Sequence, residues 1–233
     1  MADRDDSDDG VRGREAFLLV NLRGVTSVAG QSYSVEAFVL GKKPPADAFE
    51  TLTVFSHDHG AETAFQRLSR KTSGHLAHLD LFDEVSLVLE SSAQGGTGRF
   101  IKEARLITRY VEIGRNYDAL RFASLLATLV ARNAVPDESR GAVYTLLRQA
   151  FSAFAHTTRP DIVYFKSLYL FARDEGYPVK QEWFPTLPAV DRETVATLLN
   201  TPVSTQTAAS DDVARLLLRL ENYLRGHTEI FLD

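Results

Sequence analysis

The hydrophobic period of the chain changes once, near residue 113, and that switch constrains the fold more than any other feature. Before it, apolar and polar residues alternate in short runs, as in half-buried strands. After it, apolar residues recur at i, i+3, i+4 and i+7, as on amphipathic helices. Strands followed by helices imply an α+β chain, not an alternating βαβ one.

The β runs are easily bounded. "YSVEAFVLGKK" is rich in β-branched and aromatic residues, and Pro44-Pro45 is expected to end it. "AFETLTVFS" alternates, His57-Asp58-His59-Gly60 reads as a turn, and "AETAFQRLSRK" returns as the second arm of a hairpin. "DEVSLVLESS" and "RFIKEARLITRY" follow, joined through Gly95-Gly96-Thr97-Gly98. About five strands are expected between 34 and 110, with "EAFLLVNLRG" as a candidate addition. Short strands at hairpin spacing point to a small barrel or sandwich.

The helical part opens with a stripe of Leu120, Ala123, Leu126, Leu129 and Val130. Pro136 precedes a second ladder that includes Val143, Leu147, Phe151 and Phe154. Pro160 opens "DIVYFKSLYLFARDEG", apolar almost all round and broken mainly by Lys166 and Arg173, so it is expected at the centre of a bundle. Gly176 reads as its C-terminal stop. A last helix is expected from about 210, with Val213, Leu216, Leu217, Leu220 and Leu224 inward and Arg215, Arg219 and Arg225 outward.

Composition sets limits. A chain of 233 residues with 44% hydrophobic content can bury a real core. No apolar run reaches the ~18 residues of a membrane span. The start, MADRDDSDDG, is acidic where a secretory signal is basic and then apolar, so a cytoplasmic protein is expected. The absence of cysteine excludes disulfides, thiolate zinc sites and cysteine nucleophiles. Of the net charge of −5, a charge of −4 sits in the first ten residues, which leaves −1 on the remainder. A near-neutral body can carry a basic face.

Two basic sets are candidates for such a face. Arg67, Arg70 and Lys71 close the third strand, with His75 and His78 nearby. Arg99, Lys102, Arg105 and Arg109 lie along the last strand, where parity puts Arg99, Arg105 and Arg109 on one side. They are either solvated edges that discourage strand pairing or a phosphate-tracking surface with Phe65 or Phe100 available for stacking. His57, His59, His75 and His78 are either turn residues or ligands of a metal, and no metal site is expected from their spacing. There is no nucleophile elbow, phosphate loop or dinucleotide fingerprint, so neither an enzyme nor a cofactor is expected. Asp137-Glu138 and Asp174-Glu175 fit helix ends. Lys166 and Arg173, seven residues apart, share a helix face. They either snorkel or line a pocket for an acidic, aromatic-ended peptide.

Several stretches resemble the RecO family of bacterial recombination mediators. "SVEAFVLGKK", "ETLTVFSHDHG" and the basic "QRLSRK" are similar to that family's opening strands. "LFDEVSLVLE" and "FIKEARLITRY" are similar to its later strands, and "FKSLYLFARDEGYPV" to the helix ending in its glycine-tyrosine turn. The resemblance runs from about 34 to 230. It implies an OB-fold-like barrel at 34–112 and an all-α helical domain at 113–233; residues 1–33, by their own composition, are expected to be an acidic, disordered leader plus an extra segment. It also implies binding of single- and double-stranded DNA, strand annealing, and help in loading RecA onto strands coated by single-stranded DNA-binding protein. The implied partners are that protein's acidic C-terminal tail and RecR. DNA contact would fall on Arg67, Arg70 and Lys71, with Lys42 and Lys43 as further candidates and Arg99 and Arg105 from the last strand. Tail contact would fall on Lys166, with Arg173 beside it. The chain departs from the family's pattern in its long leader, in its early hairpin "GKKPPADAF", and after the glycine-tyrosine turn. There many relatives carry a four-cysteine zinc module, and here a linker with Trp183 and Phe184 stands. The other reading is a protein-interaction adaptor whose helices dock an acidic peptide while the barrel is structural.

Overall fold

The computed structural model describes residues 31–46, 48–68, 78–91 and 98–232. The leader, "EAFLLVNLRG", Arg70, Lys71 and His75 lie outside the described residues. The five expected strands are present: β1 (Ser32–Ala46), β2 (Phe49–Ser56), β3 (Gly60–Arg67), β4 (Glu84–Ser91) and β5 (Arg99–Thr108). They close a barrel in the order β1-β2-β3-β5-β4, with β4 pairing back onto β1. Every pairing is antiparallel except β3 with β5, which meet in parallel at Ala64–Arg99 and Phe65–Phe100. Alternation sends Val35, Val39, Leu52, Val54, Leu87 and Leu89 into a fully buried barrel core.

β1 does not stop at Pro44-Pro45. It continues to Ala46, and the ladder with β2 skips the prolines between Lys43 and Ala46. β4 pairs with β1 only as far as Phe38, so the prolines sit where the strand has one neighbour and no donor is required of them.

Parity also fails on β5. Its register against β4 shifts twice, leaving Lys102 and Ile107 without a partner of their own, as two β-bulges. The first bulge reverses the alternation, so Ile101 and Ala104 are both buried. Arg99 pairs with Ser91 and Arg105 with Ser86, five positions apart on β4. Arg99 and Arg105 therefore face opposite sides of the sheet, contrary to the parity expectation.

Among the described residues six helices follow: α1 (Tyr117–Arg132), α2 (Arg140–His156), α3 (Pro160–Asp174), α4 (Phe184–Thr186), α5 (Ala189–Asn200) and α6 (Ser210–His227). Asn116 caps α1, its side chain accepting from the amides of Asp118 and Ala119 at 2.9 and 3.1 Å. Leu120 faces outward, and Ala119 and Phe122 complete the buried stripe in its place. α3 is buried on most of its surface, with Ile162, Phe165, Leu168 and Phe171 fully buried. Gly176 ends it at φ +87°, a conformation favouring glycine. The Tyr177 amide then bonds back to the Ala172 carbonyl at 3.0 Å, closing the helix end. The expected linker after this turn is largely helical. A turn of π-helix (Val179–Trp183), α4 and the twelve-residue α5 fill it.

Barrel and helices are not independent. Phe38, Leu40, Phe55 and Phe82 come from the barrel half but belong to the helical core. The Phe38 ring lies 5.0 Å from Tyr144 and 5.6 Å from Phe151. Glu84, 2% exposed on β4, accepts from the Tyr144 hydroxyl at 3.2 Å and from Arg148 Nε at 2.9 Å, both on α2. A buried carboxylate needs such partners, and here they come from across the junction. No helix among the described residues is long and apolar enough to cross a membrane.

Candidate functional site

The end of α3, the π-helical turn and α5 enclose a groove of about 360 Å³. Lys166, Tyr169, Leu170 and Arg173 line it from α3, and Ala196, Leu199 and Asn200 from α5. Lys180 and Phe184 close it from the connection between them. Lys166 and Arg173, separated by two helical turns, thus share one groove wall. Lys180 was not singled out in the sequence, because the segment after Gly176 read as linker. Its only signal was a cation just past a helix stop.

The electrostatics of the groove are one-sided. None of its lining residues is a carboxylate. Lys166 Nζ donates to the Thr201 carbonyl at 2.9 Å, and burial lowers the pKa of its amine. Arg173 donates from Nε to its neighbour Asp174 at 2.7 Å. Lys180 is exposed and has no partner among the described residues. Burial raises the pKa of the Tyr169 hydroxyl, so it stays protonated and can donate. Three cations around apolar and aromatic walls suit an anionic chain with a bulky apolar end.

Trp183 forms the support behind this wall. It is 2% exposed, with its ring 6.5 Å from Phe165 and 6.3 Å from Tyr169. It fixes the π-helical turn against α3, and so fixes where Lys180 and Phe184 stand.

The barrel cations meet different surroundings. Lys42 pairs with the buried Glu50 at 3.3 Å and donates to the Leu79 carbonyl at 2.9 Å. Arg99 turns to Glu62 at 3.1 Å and to the Tyr33 hydroxyl at 3.0 Å. Lys102 pairs with Glu90. Arg109 grips Asp83, which is fully buried, from Nε at 2.8 Å and Nη2 at 2.6 Å. It also donates to the His78 carbonyl at 2.6 Å. Lys43, Arg67 and Arg105 are exposed and have no partner among the described residues.

The histidines are also separated. His57 Nδ1 lies 2.8 Å from Asp58 Oδ1 on the exposed turn, and the His59 ring packs 4.4 Å from Tyr33. Among the described residues no group of three or more His, Asp or Glu side chains is placed to hold a metal.

A small barrel sharing a core with a helical bundle, and a cation-lined apolar groove on that bundle, define the class of this protein in structural terms. No protein-family model matches the sequence, and no curated protein matches it.

Proposed function

We propose that this protein is a non-enzymatic recombinational DNA-repair mediator of the RecO type. The observation that carries the reading is the groove on α3: three cations, Lys166, Arg173 and Lys180, over apolar walls with no lining carboxylate. Its chemistry suits the acidic, aromatic-ended C-terminal tail of single-stranded DNA-binding protein. In this reading the barrel is an OB-fold that binds single- and double-stranded DNA. Arg67, Arg70, Lys71, Lys43 and Arg105 supply phosphate contacts, and Lys42 and Arg99 act mainly within the barrel. The protein anneals strands and, with RecR, helps load RecA onto coated single strands, working in the cytoplasm.

A labelled acidic peptide ending in phenylalanine tests the groove. Lys180→Glu and Arg173→Glu are expected to weaken it by about tenfold or more each, since each places a carboxylate where an anion docks. Unchanged affinity in both variants sinks the tail assignment.

One observation favours a second reading, an adaptor with a structural barrel: Lys42, Arg99, Lys102 and Arg109 are all held in ion pairs. DNA titration separates the two readings. A mediator binds oligonucleotides with an affinity that falls steeply with salt, while an adaptor binds only the peptide.

A further inference from the structure

We propose that the acidic N-terminal leader of this chain docks in cis on the groove between α3 and α5, its aspartates on Lys166, Arg173 and Lys180, and competes there with incoming acidic peptides. The inference rests on the groove as an acidic-peptide site. It goes beyond the mediator reading by naming an occupant from the chain itself. The two sides of the contact are opposite in charge. Residues 1–10 hold Asp3, Asp5, Asp6, Asp8 and Asp9 against Arg4, a net −4, while the rest of the chain carries −1. The groove gathers three cations and no lining carboxylate.

Those cations have capacity left. Lys166 meets the Thr201 carbonyl, Arg173 meets its chain neighbour Asp174, and Lys180 is exposed with no partner among the described residues. On the barrel, by contrast, Lys42, Arg99, Lys102 and Arg109 are already held by acids. Lys43, Arg67 and Arg105 are unpaired there but stand at exposed strand positions, where water screens them. A cleft lined by one sign of charge focuses its field, so the groove is the stronger site for the acidic run.

The leader is long enough to arrive. The described chain begins at Gln31, whose carbonyl accepts from the Ser91 amide at 3.2 Å beside the end of β4. Residues 11–30 separate it from the acidic run. Fully extended, they span about 70 Å. That matches the path half-way round a compact chain of this size, roughly 45 Å across. Such a tether sets an effective concentration on the order of millimolar.

The leader is also displaceable. Phe17 is its first aromatic residue, eight positions past Asp9 and beyond Arg12 and Arg14. The acidic run therefore meets the cations without a terminal ring for the wall of Tyr169, Leu170 and Phe184. A peptide that joins acids directly to a phenylalanine makes both contacts and takes its place. The leader thus bars anions that offer charge alone.

The chain has no cysteine and one tryptophan, Trp183, which packs behind the groove wall. Ser7→Cys therefore takes a single dansyl label, and energy transfer from Trp183 reports the position of the leader. Transfer is expected to fall by about twofold or more on Lys180→Glu, and likewise on saturation with the acidic phenylalanine-ended peptide. In the unlabelled full chain, changing Asp5, Asp6, Asp8 and Asp9 to Asn is expected to tighten that peptide by about tenfold, because a tethered competitor is removed. The gain is expected to vanish in a Lys180→Glu background. Equal peptide affinity with and without the four aspartates overturns the docked leader and leaves the groove reading standing. Transfer lost in Arg67→Glu but kept in Lys180→Glu puts the leader on the barrel and also overturns it. Transfer that falls on dilution assigns the leader to a second copy and overturns the contact in cis. A peptide that binds neither form of the protein overturns both the leader contact and the groove.

Discussion

On the barrel, Lys42 meets Glu50, Arg99 meets Glu62, Lys102 meets Glu90 and Arg109 meets Asp83, whereas in the groove Lys166 and Lys180 meet no carboxylate. The difference follows from how each half is built. Neighbouring strands lie about 4.8 Å apart, so a long cation on one strand readily reaches an acid on the next. α3 is packed among apolar helices, so its Lys166 meets only the Thr201 carbonyl, and its Arg173 meets only Asp174, its neighbour in the chain. A count of lysines and arginines therefore overstates the anion-binding capacity of the barrel and understates that of the groove. Pairing, and not number, separates cations that hold the fold from cations free for a ligand.

The largest expected effect strikes the support of the groove. Trp183 is buried against Phe165 and Tyr169, and a Trp→Ala change at such a site costs about 3–5 kcal/mol. Trp183→Ala is expected to lower the unfolding midpoint by roughly 10 °C and to weaken the acidic peptide even at temperatures where the protein is folded. A midpoint that does not move means the connection after Gly176 is not structural, and the contrast between a rigid groove and a zipped barrel breaks.

Asp83 tests the barrel side. Its carboxylate accepts from Arg109 and from the Asp80 amide at 2.8 Å, and it is fully buried. Asp83→Ala is expected to cost about 3 kcal/mol in a denaturant titration, because it leaves the Arg109 charge and a backbone donor unmatched. Lys102→Ala, which breaks the exposed pair with Glu90, is expected to cost under about 1 kcal/mol. Equal costs would remove the distinction between structural and incidental ion pairs.

A smaller pair of effects separates free from paired cations directly. Arg67→Ala is expected to weaken DNA binding evenly across sequences and to reduce the log–log salt slope by about one. Arg99→Ala is expected to leave that slope unchanged, since its guanidinium is already engaged by Glu62 and Tyr33. Affinities measured at several salt concentrations decide this. If both variants change the slope alike, pairing does not identify the ligand-binding cations.

These contrasts show which physical facts the sequence carried. The switch from period 2 to period 3.6 marked the order of barrel and helices, because it reports which faces are buried. The unbroken run Ala37–Leu40 also held a signal that alternation alone misses. Ala37 and Val39 point into the barrel, while Phe38 and Leu40 sit under the helices, so both faces of that stretch are covered. The bulges of β5 were not legible, since no residue type demands one, and with them went the placement of Arg99 relative to Arg105. Lys166 and Arg173 were recognisable as a pair by their helical spacing. Lys180 was not, because its place depends on the tertiary fold of the turn around Trp183. Which cations pair is likewise a cross-strand property and is invisible to a count along the chain.

Glu175 carries the smallest expected effect and tests the comparison from the acidic side. Buried acids of the barrel such as Asp83 and Glu84 have cation partners, but Glu175, at the end of α3, has a buried Oε1 without a hydrogen-bond partner among the described residues. Burial raises its pKa above the ordinary 4.5, and Asp174 and Glu138 add to the shift. Between 4.5 and the raised value the folded chain holds a proton that the unfolded chain has released, so this group makes stability fall as pH rises through that window. Above the window the folded chain bears the full cost of the charge. Glu175→Gln is therefore expected to raise the unfolding midpoint near pH 7, because it removes a charge whose burial is unfavourable. Near pH 4 the two proteins are expected to unfold together. A gain that is the same at both pH values would assign it to packing or hydrogen bonding, and would mean that the helical half, like the barrel, leaves no buried acid uncompensated.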